Sequence, residues 1–319
     1  MFVQFNYDGE KALVIWKAHH SLCDGISGMG LTLQCDDTFD PDKLMKTGKI
    51  NFWWRMLFRL MAPLFVPALF IDAFATKVLR NPMHDGVRKL TGVKKCAISD
   101  HFETAEIKAT SKALKVTIND LMTSSLSVAV SRYFKEKDPA SNHTRLNVAL
   151  PANIRWNRYE RFEDVKLENK FAPYPLTIPL SENIEEALPA VSKVTATLRS
   201  GFAKVYASYI INLISGLILP RFVCKKIVDI VTLTPTLSFS NVPGPLRRIS
   251  YKGNETLSSY MAIVIAGRCG LAIGILSYCE KLSFSVVSDT AVMRDPCRLK
   301  DLLEEAIKEY IELAKTKAD

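Results

Sequence analysis

The chain has 319 residues, of which 48% are hydrophobic and 24% charged, the balance of a globular protein that can bury a sizeable core. Its seven cysteines include no Cys-x-x-Cys pair, which leaves zinc ribbons and dithiol redox motifs unsupported. The formal net charge is +9, which favours an anionic partner, and the odd cysteine count without a secretory leader pattern favours reduced thiols in the cytosol.

The first predicted elements lead directly to the most unusual stretch of the chain. Two β-rich runs, residues 2–7 and 11–18, are separated by Asp8-Gly9, a pair that favours a tight hairpin turn. The second run is apolar enough to be a central strand. It ends at HHSLCDG, residues 19–25, and the following ISGMGLTLQ predicts a helix.

Residues 35–99 are predicted to be a linker with prolines and mixed charge. Within it, residues 51–75 imitate a membrane span, but Arg55, Arg59 and two prolines make a crossing costly. We expect an interfacial or groove-covering amphipathic segment instead. A second apolar segment, residues 207–219, is too short to span a bilayer and is predicted to be a buried helix.

The rest of the chain alternates between helical and strand patterns. Amphipathic helices are predicted after Asn119 and Asn183, which suit the helix cap, and after Asp295-Pro296. Strands are predicted at 145–151, 257–266, 271–279 and 281–288. Residues 234–245 are predicted to hold another strand, which the Pro-Gly-Pro turn at 243–245 ends. This order predicts an α/β fold of mixed sheets covered by long amphipathic helices.

Residues 199–252 carry most of the surplus positive charge, with eight Lys and Arg residues and one acid. The region suits nucleic acid, a phosphate-bearing cofactor or an acidic membrane face. Apolar runs such as YIINLISGLIL dominate it and no nucleic-acid-binding motif accompanies them, so we expect no nucleic-acid partner. A solvated basic face without a partner remains an alternative.

The paired histidines do not predict a metal site. Side chains of successive residues at a strand end point to opposite faces, so His19 and His20 cannot easily bind one ion. The other three histidines are scattered, at positions 84, 101 and 143. The chain also lacks a G-x-S-x-G nucleophile elbow and a P-loop. No metal is therefore expected.

A general base is the chemistry that suits one histidine of the pair. A neutral imidazole with a pKa of about 6.5 can take a proton from a hydroxyl as that hydroxyl attacks a carbonyl. Asp24 can hold the loop by pairing with a basic group, and Gly25 lets the backbone approach closely. From spacing alone, two histidines at a strand end, one buried and one exposed, remain the simpler alternative.

Longer motifs carry a family resemblance. HHSLCDG resembles the H-H-x-x-x-D-G motif of coenzyme A-dependent acyltransferases and condensation domains. TINDLMTSSLSVAVSRYF, LPANIR, LENKF, FSNVPGP and GILSYCEKLSFSVVSD, in this order, resemble the bacterial and plant wax ester synthase/diacylglycerol acyltransferase family. The resemblance runs from about Ala12 to the final helix.

The resemblance implies an α/β fold of two chloramphenicol-acetyltransferase-like lobes, with a tunnel between them. We expect residues 1–160, including the linker, to form the first lobe and residues 161–319 the second. Family members carry a substantial segment ahead of the motif, so the first lobe is expected to be incomplete.

The family's site residues are carried over by motif position. His20 and Asp24 are the expected catalytic residues: His20 is the base, and Asp24 shapes the loop through an ion pair with Arg155, the last residue of LPANIR. His19 is a packed neighbour and Gly25 a supporting residue. Ser240 and Asn241, which belong to FSNVPGP, are expected to line the tunnel.

The implied function is transfer of a fatty acyl group from acyl-CoA to a long-chain alcohol or a diacylglycerol, without a cofactor beyond acyl-CoA as co-substrate. The alternative is a catalytically weak or inactive lipid- or acyl-CoA-binding relative, or a fragment of such an enzyme. Because the acceptors are nearly insoluble, we expect peripheral attachment to the cytosolic face of the endoplasmic reticulum, the plasma membrane or a lipid droplet. Trp53, Trp54, Arg55 and Arg59 suit a headgroup boundary.

Overall fold

The computed structural model describes residues 2–6, 9, 11–44, 51–155, 159–263 and 267–317. The strands are β1 (Phe2–Asn6), β2 (Ala12–Trp16), β3 (Lys94–Ile98), β4 (Phe102–Glu103), β5 (Arg145–Asn153), β6 (Phe171–Pro179), β7 (Leu237–Val242), β8 (Ser250–Tyr251), β9 (Asn254–Glu255), β10 (Leu271–Tyr278) and β11 (Lys281–Asp289). The helices are α1 (Gly25–Gln34), α2 (Phe52–Met61), α3 (Val66–Ala75), α4 (Thr104–Ala113), α5 (Ile118–Lys137), α6 (Ile184–Ser200), α7 (Phe202–Ile218), α8 (Arg221–Val231) and α9 (Cys297–Thr316).

A seven-stranded sheet of order β3-β11-β10-β7-β5-β6, with β4 also on β11, organises the described part of the chain. β7 is parallel to both β10 and β5, and the other pairs are antiparallel, so the sheet is mixed. Strands β10 and β11 are buried along almost their whole length. The sequence of β10, LAIGILSY, is correspondingly apolar, whereas β11, KLSFSVVSD, includes three buried serines. The predicted mixed α/β fold class is confirmed.

The described sheet draws strands from both sides of residue 160: β3, β4 and β5 precede it, and β6, β7, β10 and β11 follow it. The remaining ladders among the described residues are the two-stranded pairs β1–β2 and β8–β9. The described architecture is therefore one lobe built on a single large sheet. The division into ranges 1–160 and 161–319 stays a prediction.

Helices α5, α6 and α9 cover one face of the sheet and enclose the largest core cluster. The hydroxyl of Tyr310, deep in this core, lies 2.6 Å from the Ser124 hydroxyl and donates to the Ile184 carbonyl at 2.8 Å. Asn183 caps α6 as expected. Helix α5 is capped by Thr117 and not by the expected Asn119. The Thr117 hydroxyl accepts from the main-chain amide of Asp120, and the Asp120 carboxylate accepts from the main-chain amide of Thr117.

Strand β6 was not predicted, and it contains three prolines in FAPYPLTIP. Proline cannot donate to a ladder, which demotes such a run in a sequence-based prediction. Among the described strands β6 lies at the edge of the sheet, paired on one side with β5 over the nine residues from Arg145↔Pro179 to Asn153↔Phe171. An edge position tolerates prolines because the outer side of the strand needs no partner.

The strand predicted at 257–266 is wrong for residues 257–263, which are irregular; residues 264–266 lie outside the described residues. Both edges of β10 are taken, by β7 and β11. The segment lies instead across the face of β10, where a Cβ on Gly274 would be 2.4 Å from Ile263, and Met261 O accepts from Ser285 Oγ at 2.5 Å. Gly274 thus makes room for a crossing chain.

The N-terminal hairpin is confirmed as an antiparallel β1–β2 pair, with Gly9 at φ +61° in the turn; Asp8 lies outside the described residues. The expectation that the second strand is central is wrong, since β2 pairs only with β1 among the described strands and its residues are exposed. The Trp16 ring contacts the body of the protein at α1, where a Cβ on Gly28 would lie 3.4 Å from it.

The predicted linker contains the two helices α2 and α3 and the sheet strand β3. Helices α2, α3 and α7 pack together around Ala62, Tyr206 and Ala207. The prediction that residues 207–219 form a buried helix is wrong for the C-terminal half of α7, where Leu217 is 77% exposed. No single described helix has the length and apolar character of a membrane span; only the bent pair 184–198 and 203–218, at 58°, reaches them together.

Candidate active site

The HHSLCDG loop runs from β2 into the first turn of α1. Asp24 is the N-cap of α1: its carboxylate accepts from Ser27 N at 3.0 Å and its carbonyl accepts from Gly28 N at 2.8 Å. Within the loop, Leu22 N donates to His19 O at 3.0 Å and closes a tight turn. The C-terminal end of the motif is therefore held in place by the N-terminus of α1.

The ion pair predicted between Asp24 and Arg155 is present. Arg155 Nη1 lies 2.9 Å from Asp24 Oδ2, and Nη2 lies 3.0 Å from Oδ1, a bidentate pair of two buried side chains. Lys170 N also donates to Asp24 Oδ2 at 2.7 Å. Both carboxylate oxygens of Asp24 accept hydrogen bonds from these donors. The side chain therefore fixes the shape of the loop.

Arg155 joins three segments that are far apart in sequence. It follows β5 by two residues and donates to Ser27 Oγ in α1 at 2.8 Å. It also donates to the carbonyls of Glu168 and Lys170, both at 3.3 Å, just before β6. Its Nε is buried without a hydrogen-bond partner among the described residues. The guanidinium thus ties the motif loop to the end of the sheet.

His20, the predicted base, lies exposed on this loop. Its ring packs at 5.6 Å between centroids, tilted by 59°, against Phe171, the first residue of β6. His19 is also exposed, so the expectation of a packed neighbour is wrong; its Nδ1 lies 2.8 Å from Ser21 Oγ. Of the two histidines, His20 has the ring contact that orients an imidazole, while the role of base stays a prediction.

Gly25 lets the first turn of α1 close onto the end of β7. A Cβ added to Gly25 would lie 2.8 Å from Val242 Cγ2, closer than side chains tolerate. The glycine is therefore required for a close approach between the motif and FSNVPGP. This contact brings together two motifs through residues that are 217 positions apart in the sequence.

Ser240 and Asn241 lie on β7, Ser240 partly buried and Asn241 exposed. Asn241 Nδ2 donates to Asn119 Oδ1 at 2.7 Å, which connects FSNVPGP with TINDLM at the start of α5. Their place in the lining of a tunnel stays a prediction.

Chemistry at the loop is limited by the neighbours of each group. Burial and the adjacent Asp24 carboxylate raise the pKa of the Cys23 thiol, although Arg155 opposes them. A raised pKa keeps the thiol protonated near neutral pH, which disfavours Cys23 as a nucleophile. No group of three or more metal-ligating side chains occurs within the described ranges.

Sequence reasoning missed Asn169 and Phe171, which contact the predicted base directly. Asn169 Nδ2 donates to His20 O at 2.9 Å and to Ser21 O at 3.2 Å. Both residues belong to LENKF, a stretch noticed as a motif but without an assigned role. The family resemblance of LENKF is the one indication in the sequence that this stretch matters. No local pattern indicates that it contacts the histidines.

The sequence of this chain is similar to those of several known proteins. Residues 169–310 match the family model of the WS/DGAT C-terminal domain. Wax ester synthase/diacylglycerol acyltransferase 11 of Arabidopsis thaliana is 25% identical, over 93% of this chain and 69% of the relative. Wax ester synthase/diacylglycerol acyltransferase 5 of the same plant is 24% identical, over 94% and 68%. The chain thus spans about two thirds of the relatives' length.

Solved structures with the same fold include the wax ester synthase/diacylglycerol acyltransferase of Marinobacter aquaeolei VT8, with a TM-score of 0.55, 20% identity and coverage of 93% of this chain and 66% of that one. The epimerization domain from the third module of tyrocidine synthetase B matches with a TM-score of 0.58, 13% identity and coverage of 97% and 70%. At these identities the likeness concerns the fold.

Proposed function

We propose that this chain, which belongs to the wax ester synthase/diacylglycerol acyltransferase family, is an acyl-CoA-dependent O-acyltransferase. It transfers a fatty acyl group from acyl-CoA to the hydroxyl of a long-chain alcohol or a diacylglycerol, and it needs no cofactor beyond that co-substrate. The observation that supports this most is the buried Asp24–Arg155 pair, which shapes the loop that presents His20.

In the proposed reaction His20 takes the proton of the acceptor hydroxyl as its oxygen attacks the thioester carbonyl. A carbon–oxygen bond forms, a tetrahedral intermediate collapses, and the carbon–sulfur bond breaks. The CoA thiolate then receives the proton from the imidazolium, so the base is restored without a covalent acyl-enzyme. Arg155 and Asp24 act only on the shape of the loop.

The second candidate is a catalytically weak or inactive relative that binds lipid or acyl-CoA. The exposure of His20 favours it, because acyl transfer benefits from a site that excludes water. The two candidates differ in turnover while sharing binding.

An acyl-transfer assay with labelled acyl-CoA and both acceptors tests the function. We expect ester formation, and a loss of about 10²–10⁴-fold in His20→Ala, as is typical for removal of a general base. His19→Ala is the matched control, since His19 is the same residue type on the same loop, and its side chain hydrogen-bonds only with Ser21 among the described residues. Equal loss in both variants, with both folded, contradicts the assignment. Binding of acyl-CoA without ester formation supports the second candidate.

We also propose that the protein works peripherally at the cytosolic face of a membrane or at a lipid droplet. On α2, Trp53 and Trp54 are 74% and 56% exposed, beside Arg55 and Arg59. The exposed end of α7 and the basic, amphipathic α8 belong to the same helical layer, since α7 packs on α2 and on α8. Exposed aromatics beside cations suit a headgroup boundary, and each cation close to an anionic surface contributes about 1 kcal/mol.

Flotation with vesicles containing anionic lipid tests the location. We expect binding that weakens at high salt and that is lost when Trp53 and Trp54 become alanine. Val87→Ala with Val93→Ala is the control, because these exposed apolar residues lie in the segment before β3. Unchanged binding of the tryptophan variant, or no binding of the wild type at low salt, contradicts the proposal.

A further inference from the structure

The segment 168–171 runs alongside the HHSLCDG loop and is fixed to the C-terminal end of that loop by two hydrogen bonds with Asp24. Asp24 N donates to Glu168 O at 3.2 Å, and Lys170 N donates to the Asp24 carboxylate at 2.7 Å. Because Asp24 is itself anchored by Arg155 and the start of α1, residues 168 and 170 are held at defined positions. The side chain of residue 169 is thereby directed from a rigid base.

Asn169 uses this rigid base to hold the exposed part of the loop. Its amide nitrogen donates to the carbonyls of His20 and Ser21, at 2.9 and 3.2 Å, which are successive acceptors. Both residues are exposed, so water is the alternative partner of each carbonyl. A carbonyl bound to water leaves its peptide free to rotate, whereas one bound to a fixed amide does not. Asn169 therefore determines the main-chain direction at His20.

Phe171 adds a second point of contact, on the imidazole itself. The two rings are 5.6 Å apart at their centroids, and Phe171 is held in the sheet by its register with Asn153. A backbone held by Asn169 and a ring held by Phe171 together restrict the side-chain torsions of His20. The ring contact alone cannot orient the imidazole if the loop backbone rotates.

The contacts of the Asn169 side chain indicate that it contributes little to the stability of the fold. Its Oδ1 atom is buried and has no hydrogen-bond partner among the described residues, and a buried unsatisfied acceptor opposes stability. Its two donor bonds replace water at exposed carbonyls, where the net gain is small. The side chain is thus better explained by its effect on His20 than by stabilisation of the fold.

We propose that Asn169 is a positioning residue for the base, whose side-chain amide fixes the backbone of His20 and Ser21 and thereby the direction of the imidazole. This rests on the proposed role of His20 in acyl transfer. Asn169 touches neither acyl-CoA nor acceptor; it acts through the loop.

Kinetics of Asn169→Ala and Asn169→Asp test the proposal. A displaced catalytic group typically costs about 10²-fold, so we expect kcat of Asn169→Ala to fall about 10–100-fold while KM for acyl-CoA stays within about twofold. Asn169→Asp is expected to be worse, because a carboxylate of the same shape faces two carbonyl oxygens. The matched control is Asn254→Ala: Asn254 Nδ2 also bridges two carbonyls, of Lys252 at 3.0 Å and Tyr251 at 3.5 Å, in the β8–β9 turn.

Hydrogen exchange of the peptide that contains residues 19–24 provides a readout that does not depend on activity. We expect faster exchange there in Asn169→Ala than in the wild type, and no change there in Asn254→Ala. If the wild type shows no transfer, the proposed function fails while the exchange result still decides the role of Asn169. Unchanged exchange and unchanged kcat overturn the proposal, as does a rise in KM with kcat intact. If Asn169→Ala does not fold, Asn169→Ser, whose hydroxyl cannot bridge both carbonyls, gives the same comparison.

Discussion

Replacing Arg155 by methionine is expected to lower the free energy of unfolding by about 3–5 kcal/mol, because it strands a buried carboxylate. Methionine keeps an apolar stem and removes the guanidinium. The Asp24 carboxylate then retains only the main-chain amides of Ser27 and Lys170 as donors among its described contacts. Ser27 Oγ and the Lys170 carbonyl lose a donor as well.

The size of the effect follows from burial. The side chains of Arg155 and Asp24 are 5% and 8% exposed, so water cannot replace the lost partner. The pair Arg248–Glu255 offers a comparison at 2.7 Å, with side chains 57% and 58% exposed. Exposed pairs of this kind contribute about 0–1 kcal/mol. Arg248→Met is therefore the matched control, with the same substitution at a short but solvated ion pair.

The assay is urea-induced unfolding of a double-mutant cycle made of Asp24→Asn, Arg155→Met and the combined variant. Asparagine caps a helix about as well as aspartate, so Asp24→Asn removes the charge and preserves the start of α1. For side chains in direct contact we expect a coupling of about 0.5–3 kcal/mol, here towards the upper end because the pair is bidentate.

Two results would refute this reasoning. A loss below about 1 kcal/mol in Arg155→Met, similar to that of Arg248→Met, means that the pair is solvated. A coupling of zero, with each single variant destabilised, means that the two side chains contribute independently. Either result removes the ion pair as the element that shapes the motif loop.

Gly25→Ala is expected to cost about 1–3 kcal/mol by overpacking, because its Cβ would lie 2.8 Å from Val242, and Val242→Ala in the same chain should restore most of that loss in thermal unfolding. For Asp289, burial raises the pKa, but bonds from three main-chain amides and the Thr91 hydroxyl outweigh it and lower the pKa of this carboxyl below its ordinary value. A depressed folded pKa contributes stability above about pH 4 that is lost as the pH falls. The stability difference between the wild type and Asp289→Asn should therefore be full at pH 7 and shrink near pH 3; a constant difference contradicts this.

Much of the architecture is determined by local patterns in the sequence. Helices α6 and α9 and strands β10 and β11 follow from apolar periodicity and from capping residues, which report on neighbours within a few positions. The same holds for the β1–β2 hairpin, whose turn contains a glycine at positive φ. The Asp24–Arg155 pair was found through the family resemblance of two motifs.

Only the tertiary structure decided how those elements are used. The prolines of β6 are tolerated because β6 is the edge of the sheet, and residues 257–263 cross Gly274 because both edges of β10 are already paired. Likewise β2 is exposed despite its apolar residues, since β1 is its only described partner. Strand order and edge position depend on partners far away in the chain, and no local pattern contains them.

The division is the same within the candidate site. The motif alone identifies a histidine, an aspartate and a glycine as candidate site residues. Each of these residue types has a chemical role that the adjacent sequence is enough to suggest. Asn169 contacts His20 from 149 positions away, and Arg155 contacts Asp24 from 131. Which side chain holds the loop is settled by the approach of β5 and β6 to the start of α1, and that approach results from packing rather than from any nearby residue.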